Sequence, residues 1–173
     1  YALLMFLPHD PALYHPLTLL HSYLAEGENA LLKKRIQEKR FWVLHAGAMF
    51  YPAVPGFLMA FYSLHLPVSK TYGFEEKILR LLAEVEDRGI PEERFEEMKG
   101  RMAVGLLSSL HGTDKKALRL AECLILRSRV DYFFRDGEIL QAMRGDEVRK
   151  AAGRLLRAPR ARILLRGAWW KRS

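Results

Sequence analysis

Cysteine is nearly absent from this chain of 173 residues, Cys123 being the only one. An internal disulfide is therefore impossible and a thiolate metal cluster is excluded. A reducing cytoplasm is the expected setting. Cys123 sits among Leu120, Leu124 and Ile125, so it is expected to pack as a small hydrophobe and not to react. Long hydrophobic runs are also missing: no uninterrupted apolar stretch reaches the roughly 18 residues of a spanning helix, and the opening YALLMFL is too short for one. No membrane partner is expected. The opening also lacks the basic leader and small-residue cleavage site of a signal peptide. Because the chain starts at Tyr1, inside an apolar run and not at a Met, it is expected to be an N-terminally truncated piece of a longer protein.

Amides are scarce too. Asn29 is the one Asn, Gln37 and Gln141 are the two Gln, and Arg is preferred to Lys, a bias of heat-adapted proteins. Acidic residues stop at Glu147, whereas Arg149, Lys150, Arg154, Arg157, Arg160, Arg162, Arg166, Lys171 and Arg172 follow it, and they account for most of the net charge of +8. Such a surplus raises a nucleic-acid-binding reading. Against it, the basic residues from Lys33 to Lys116 alternate with acids such as Glu75, Glu84, Glu92 and Glu96, and the chain holds no Gly-rich phosphate loop or nucleic-acid module. The tail GAWWKRS could touch phosphates or a membrane surface through Trp169, Trp170, Lys171 and Arg172, or pack on a neighbouring domain.

What is present is a core. Half the residues are hydrophobic, enough for one well-filled domain and too few for two. Tyr1 to Leu7 are apolar throughout and end at Pro8, which reads as a strand buried on both faces. Asp10 followed by Pro11 predicts a helix start, and Leu17, Leu20 and Leu24 share one face of that helix until Gly27 breaks it. A second helix is predicted from Ala30 to Lys39. Two aromatic-rich runs between Phe41 and Leu66, separated by a Pro/Gly turn, predict an antiparallel strand pair.

From Gly73 the period becomes helical. Phe74, Ile78, Leu81, Leu82 and Val85 mark one helix, closed by Gly89, and Phe95, Met98, Met102, Leu106 and Leu110 mark the next, opened by Pro91 and stopped by Gly112. Thr113 and Asp114 start a third, predicted to run to Phe134. Asp146, Val148, Ala152 and Leu155 give a last helix, and Ala161 to Arg166 a final strand. The order is strand, two helices, two strands, several helices, strand. It predicts an α+β class, a mainly antiparallel sheet with helices packed on one face, in a single domain over residues 1–167 with a basic, aromatic tail at 168–173.

The segment LAEGENALLKKRIQEKRFWVLHA, Leu24 to Ala46, keeps Gly27, Leu32, Ile36, Glu38 and Lys39 in a recognisable frame. In that frame the chain resembles the C-terminal, non-zinc domain of the pitrilysin, insulinase and mitochondrial processing peptidase family. GIPEERFEEMKGRMAVGLLSSL looks like the family's paired helices with their Gly-hydrophobic-x-Glu-Glu start, and RGDEVRKAAGRLL followed by ARILLRG looks like its closing helix and strand. The resemblance runs from about Leu3 to Gly167, nearly the whole chain, and rests on order and spacing.

That resemblance implies a half-domain of a zinc metallopeptidase in which two similar α+β halves enclose a peptide substrate. Zinc there is held by H-x-x-E-H and a distant Glu. No H-x-x-E-H occurs among His9, His15, His21, His45, His65 and His111, so no cofactor is expected in this segment. Zinc is expected in an N-terminal domain of the same chain or in a partner subunit, with which a homo- or hetero-dimer would form. Where the family places an Arg and, seven residues on, a Tyr that anchor substrate, this chain has Gln37 and Leu44. Gln37 lacks a charged fork and Leu44 a phenolic donor. These two are the candidate chamber-lining positions, and no catalytic residue is assigned. His45 and His65, on the two aromatic strands, could face each other, although packing roles are the simpler reading. The alternative to a peptidase wall is a non-catalytic assembly subunit of the same family. On either reading the isolated chain is expected to bind no stoichiometric zinc and to cleave no peptide; one tightly held zinc per chain in metal analysis would refute this.

Overall fold

The computed structural model describes residues 1–39, 42–53, 56–65, 73–127 and 129–165; the basic, aromatic tail lies outside them. Strand β1 (Ala2–Pro8) leads through a short 3-10 turn (Pro11–Leu13) into α1 (Tyr14–Ala25). A π-helical turn (Lys33–Gln37) precedes β2 (Val43–Ala53) and β3 (Gly56–His65). Helices α2 (Phe74–Arg88), α3 (Glu92–Ser109), α4 (Thr113–Arg127), α5 (Tyr132–Ala142) and α6 (Gly145–Leu156) follow, and β4 (Arg160–Ile163) is the last described element. The four strands form one fully antiparallel sheet in the order β2-β3-β1-β4.

Alternation along the strands decides what the sheet buries. On β3, Phe57, Met59 and Phe61 are buried while Leu58, Ala60, Tyr62 and Leu64 point the other way. β1 contributes Leu3, Met5 and Leu7 to the same buried side. These side chains join Leu17, Leu20 and Leu24 of α1, Phe74, Ile78 and Leu82 of α2, and Val148, Ala152 and Leu155 of α6 in one continuous core. The helical periodicities read from the sequence are therefore the core-facing stripes. The expectation that β1 is buried on both faces is corrected: Phe6 is exposed, so the run is apolar because its second face also carries hydrophobic side chains, not because helices cover both. Phe6, Leu44, Met49, Tyr51 and Leu64 are all exposed. Among the described residues the helices form a single layer on one side of the sheet.

Local chemistry sets several boundaries. The Asp10 carboxylate accepts from the Ala12 N–H at 3.1 Å, opening the turn into α1. Gly27 and Gly89, both with φ of 76°, end α1 and α2 in a conformation that costs other residues steric energy. The second predicted helix is present only in part. The Glu38 N–H reaches back five residues to the Lys33 carbonyl at 2.9 Å, so its last turn is widened into a π turn.

The third predicted helix, from Thr113 to Phe134, is also corrected: it divides into α4 and α5. In one unbroken helix, residues 119 and 136 would lie about 25 Å apart at a rise of 1.5 Å per residue. The break after Arg127 turns α5 back, and Arg119 ion-pairs with Asp136.

The contact between β1 and β3 leaves no room at one position. A Cβ added to Gly56 would lie 2.1 Å from the Leu7 carbonyl oxygen, a backbone atom that cannot rotate away. Gly56→Ala is expected to lower stability by about 1–3 kcal/mol through forced separation of the two strands, read from the urea midpoint; an unchanged midpoint would refute this close approach.

Candidate functional site

Two regions hold chemistry beyond core packing. The first is the junction at which the π turn packs against β2. Gln37 is the last residue of that turn and is half-buried. The strand pairing steps from Val43 opposite His65 to His45 opposite Leu64, so Leu44 is the extra residue of a β-bulge, and it is 47% exposed. Bulges and π turns both re-aim side chains and are frequent at functional sites. Both of the positions singled out in the sequence thus lie in irregular backbone, Gln37 in the π turn that contacts β2 and Leu44 in the bulge at the start of β2.

The rest of that face is apolar with a few polar handles. The His45 Nε2 and Tyr62 hydroxyl lie 3.4 Å apart. The Tyr62 ring lies over Gly47, where a Cβ would come within 2.7 Å of the phenol oxygen. The Tyr51 hydroxyl contacts the Met49 sulfur at 2.8 Å, and Leu64 is 57% exposed. Exposed apolar side chains gathered on one sheet face are the kind of surface at which proteins often meet partners.

The histidine pair suggested by the strands is not formed. His45 stands on the open face, whereas His65 is buried on the helix side with its Nε2 2.6 Å from the Ser63 hydroxyl. Strand alternation places them on opposite faces. His21 is engaged elsewhere, its Nε2 donating to the Ala48 carbonyl at 3.0 Å on the outer edge of β2. Among the described residues, no three His, Cys, Asp or Glu side chains come together as a metal-binding group.

The second region was not anticipated. Asp136 of α5 is 0% exposed. Its carboxylate accepts from Arg119 Nη2 and Arg127 Nη1 of α4 and lies 2.9 Å from His15 Nε2 of α1. The Arg127 guanidinium also stacks 3.5 Å from the Tyr132 ring centroid. Burial alone would raise the Asp136 pKa, but hydrogen bonds and charge from His15 and Arg127 outweigh it and hold the pKa at about 2. Cys123, one turn beyond Arg119, is buried, and desolvation pushes its thiol pKa up, in keeping with a packing role. In the sequence His15, the two arginines Arg119 and Arg127, and Asp136 stand well apart, and each alone reads as a solvated surface residue.

Among the described residues, the arginines of the basic C-terminal run pair within the fold. Arg149 donates to the Glu86 and Asp87 carbonyls at the end of α2, where cations complement the helix dipole. Arg154 pairs with Asp10, Arg157 with Glu86, and Arg160 and Arg162 with Glu75. Among the described residues, these arginines are thus distributed among acids from distant segments.

No protein-family profile matches the chain, and no curated protein matches it. Solved structures do. The inactive peptidase domain of a candidate zinc protease from Bordetella parapertussis superposes with a TM-score of 0.77 at 15% identity, over 96% of this chain and 91% of that one. A candidate zinc protease from Bordetella pertussis Tohama I gives 0.78 at 17% identity, over 92% and 89%. A protease from Helicobacter pylori gives 0.76 at 16% identity over 91% of this chain, which spans only 38% of the Helicobacter chain. At such identities the likeness is one of fold, and the neighbours that share it include the inactive peptidase domain of a candidate zinc protease.

The Asp136 centre yields a direct expectation. Because its pKa is depressed, its stabilisation is complete above the unfolded carboxylate pKa of about 4 and is lost as pH falls toward about 2. Asp136→Asn should cost about 3–5 kcal/mol at neutral pH, since it leaves buried guanidiniums uncompensated. It should also flatten the acid limb of stability against pH; a variant with the same acid limb as the wild type would show that Asp136 is not its source.

Proposed function

We propose that this chain is the non-zinc half of a zinc metallopeptidase of the pitrilysin and processing-peptidase class, and that the uncovered face of its sheet forms one wall of the chamber that encloses a peptide. The observation that carries the proposal is the pairing of this fold with an apolar sheet face left open by the helices. Zinc and the water-activating Glu belong, on this reading, to an N-terminal domain of the same chain or to a related subunit, and the enzyme forms when the two halves meet as a homo- or hetero-dimer. Residence in the cytoplasm, argued from the single cysteine, is part of the same proposal.

Gln37 and Leu44 stand where relatives of this class are expected to anchor substrate. Without an Arg fork or a Tyr hydroxyl, this half contributes shape and apolar contact, and polar anchoring falls to the other half. The same substitutions favour a second reading, in which the chain is an assembly subunit that encloses nothing. A nucleic-acid role has less support, because Arg154, Arg157 and Arg162, among the arginines that motivated it, are paired within the fold.

The test is reconstitution. Mixing the chain with its zinc-bearing half should restore peptide hydrolysis that neither has alone. Leu64→Asp, which places a charge on the open face without entering the core, should reduce turnover of the mixture about tenfold or more by desolvating an unpaired carboxylate against the substrate. Full complex formation with no hydrolysis would overturn the peptidase reading in favour of assembly.

A further inference from the structure

The strand register fixes which side chains adjoin on the uncovered face of the sheet. Ala60 of β3 stands opposite Met49 of β2 on one side and Leu4 of β1 on the other. Along β3 its neighbours on that face are Leu58 and Tyr62, two residues away in either direction. The smallest of these side chains is thus at the centre, with four larger ones around it. Because strands lie about 4.8 Å apart and rise about 3.3 Å per residue, Met49 to Leu4 spans about 10 Å and Leu58 to Tyr62 about 13 Å. A hollow of that width takes one side chain of a visiting molecule.

The two neighbours best able to close the hollow are turned aside. Tyr62 leans over Gly47, which has no Cβ to obstruct it, and its hydroxyl ends 3.4 Å from His45 Nε2. His45 pairs with Leu64, so this is the side of Tyr62 away from Ala60. The Met49 sulfur lies 2.8 Å from the hydroxyl of Tyr51, a partner on its own strand. Charge is missing from the surroundings. Strands β1, β2 and β3 hold no Asp, Glu, Lys or Arg, and the two arginines of β4, Arg160 and Arg162, pair with Glu75 of α2 on the helix side. A charged side chain entering the hollow would lose water and gain no counter-ion. An apolar one would remove its own surface, and that of Leu4, Met49 and Leu58, from water.

We propose that the hollow over Ala60 seats one uncharged apolar side chain of the enclosed peptide, such as that of leucine, and rejects acidic and basic residues at that position. That the occupant is a peptide rests on the chamber reading; the selection against charge rests on the face itself.

The experiment follows the Ala60 and Met49 methyl resonances of the intact chain by NMR during titration with acetyl-Gly-Gly-Leu-Gly-Gly-amide, whose ends carry no charge. Two counterparts hold Asp or Lys in place of Leu. The Leu peptide should shift both resonances saturably, and the Asp and Lys peptides should bind more weakly by about tenfold or more. Ala60→Leu fills the hollow from a position on the open face, and should abolish binding at Met49 while leaving the melting transition cooperative. Ala60→Asp supplies the missing counter-ion and should turn the preference from the Leu peptide to the Lys peptide. Selective binding of the Leu peptide by the chain, with no hydrolysis when the two halves are mixed, would remove the peptidase reading and leave the hollow's selectivity standing. Equal affinity for the three peptides, no saturable shift with the Leu peptide, or binding that both variants leave unchanged would overturn the proposal.

Discussion

The constraint on which the whole domain depends is the position of β1. This strand is the first described segment of the chain, yet it lies inside the sheet, paired with β3 at residues 56–62 on one side and with β4 at residues 160–163 on the other. Neither neighbour is close in sequence, so the sheet completes only when the chain's beginning, middle and end have met. Loop closure of that length is slow to form, and its energy is recovered only when the core behind it is filled. Leu3, Met5 and Leu7 supply the filling from the strand itself. The insertion also explains why α6 lies so near α1 and α2: it precedes β4, and β4 must reach the far edge of β1.

Behind the sheet, the helical layer is organised in a different way. α1, α2 and α6 are held chiefly by apolar contact, with Arg149 of α6 and Arg157 just beyond it reaching the end of α2. α3, α4 and α5 bury fewer large side chains, and α4 exposes Leu118, Leu124 and Ile125. In that thinner part of the structure the Asp136 carboxylate fixes where α4 and α5 sit relative to α1. A buried ion network adds little net stability compared with apolar packing, yet breaking it is costly. Here its geometric effect is plain: it converts a long helical pattern into a hairpin of two helices.

Legibility in the sequence followed the physics of each element. Helices α2 and α6 and the core stripe of α1 could be read because apolar periodicity reports burial directly. β1 was read as a strand, but with the wrong surroundings. Continuous hydrophobicity cannot distinguish a strand between two layers from one whose second face awaits a partner. The division of α4 from α5 was hidden because it depends on His15, Arg119, Arg127 and Asp136 meeting in space. No periodicity links one charge on each of several turns, and the only local sign was a buried-looking run, YFF, directly before Arg135 and Asp136. Gln37 and Leu44 were found through a resemblance; their placement in a π turn and a bulge has no signature in composition.

The edges of the sheet carry a consequence for how anything can approach it. On β2, the outer carbonyl of Ala48 is taken by His21, Pro52 offers no N–H, and the bulge at Leu44 interrupts the ladder; on the opposite side β4 is four residues long and carries Arg160 and Arg162. Such features discourage the addition of a further strand. The domain is therefore guarded along its rims and open across its surface. On the proposed reading, a peptide at that face would find little main-chain template to copy and would be selected by the fit of side chains against Phe6, Met49, Tyr51 and Leu64, by shape and greasiness and not by its backbone conformation.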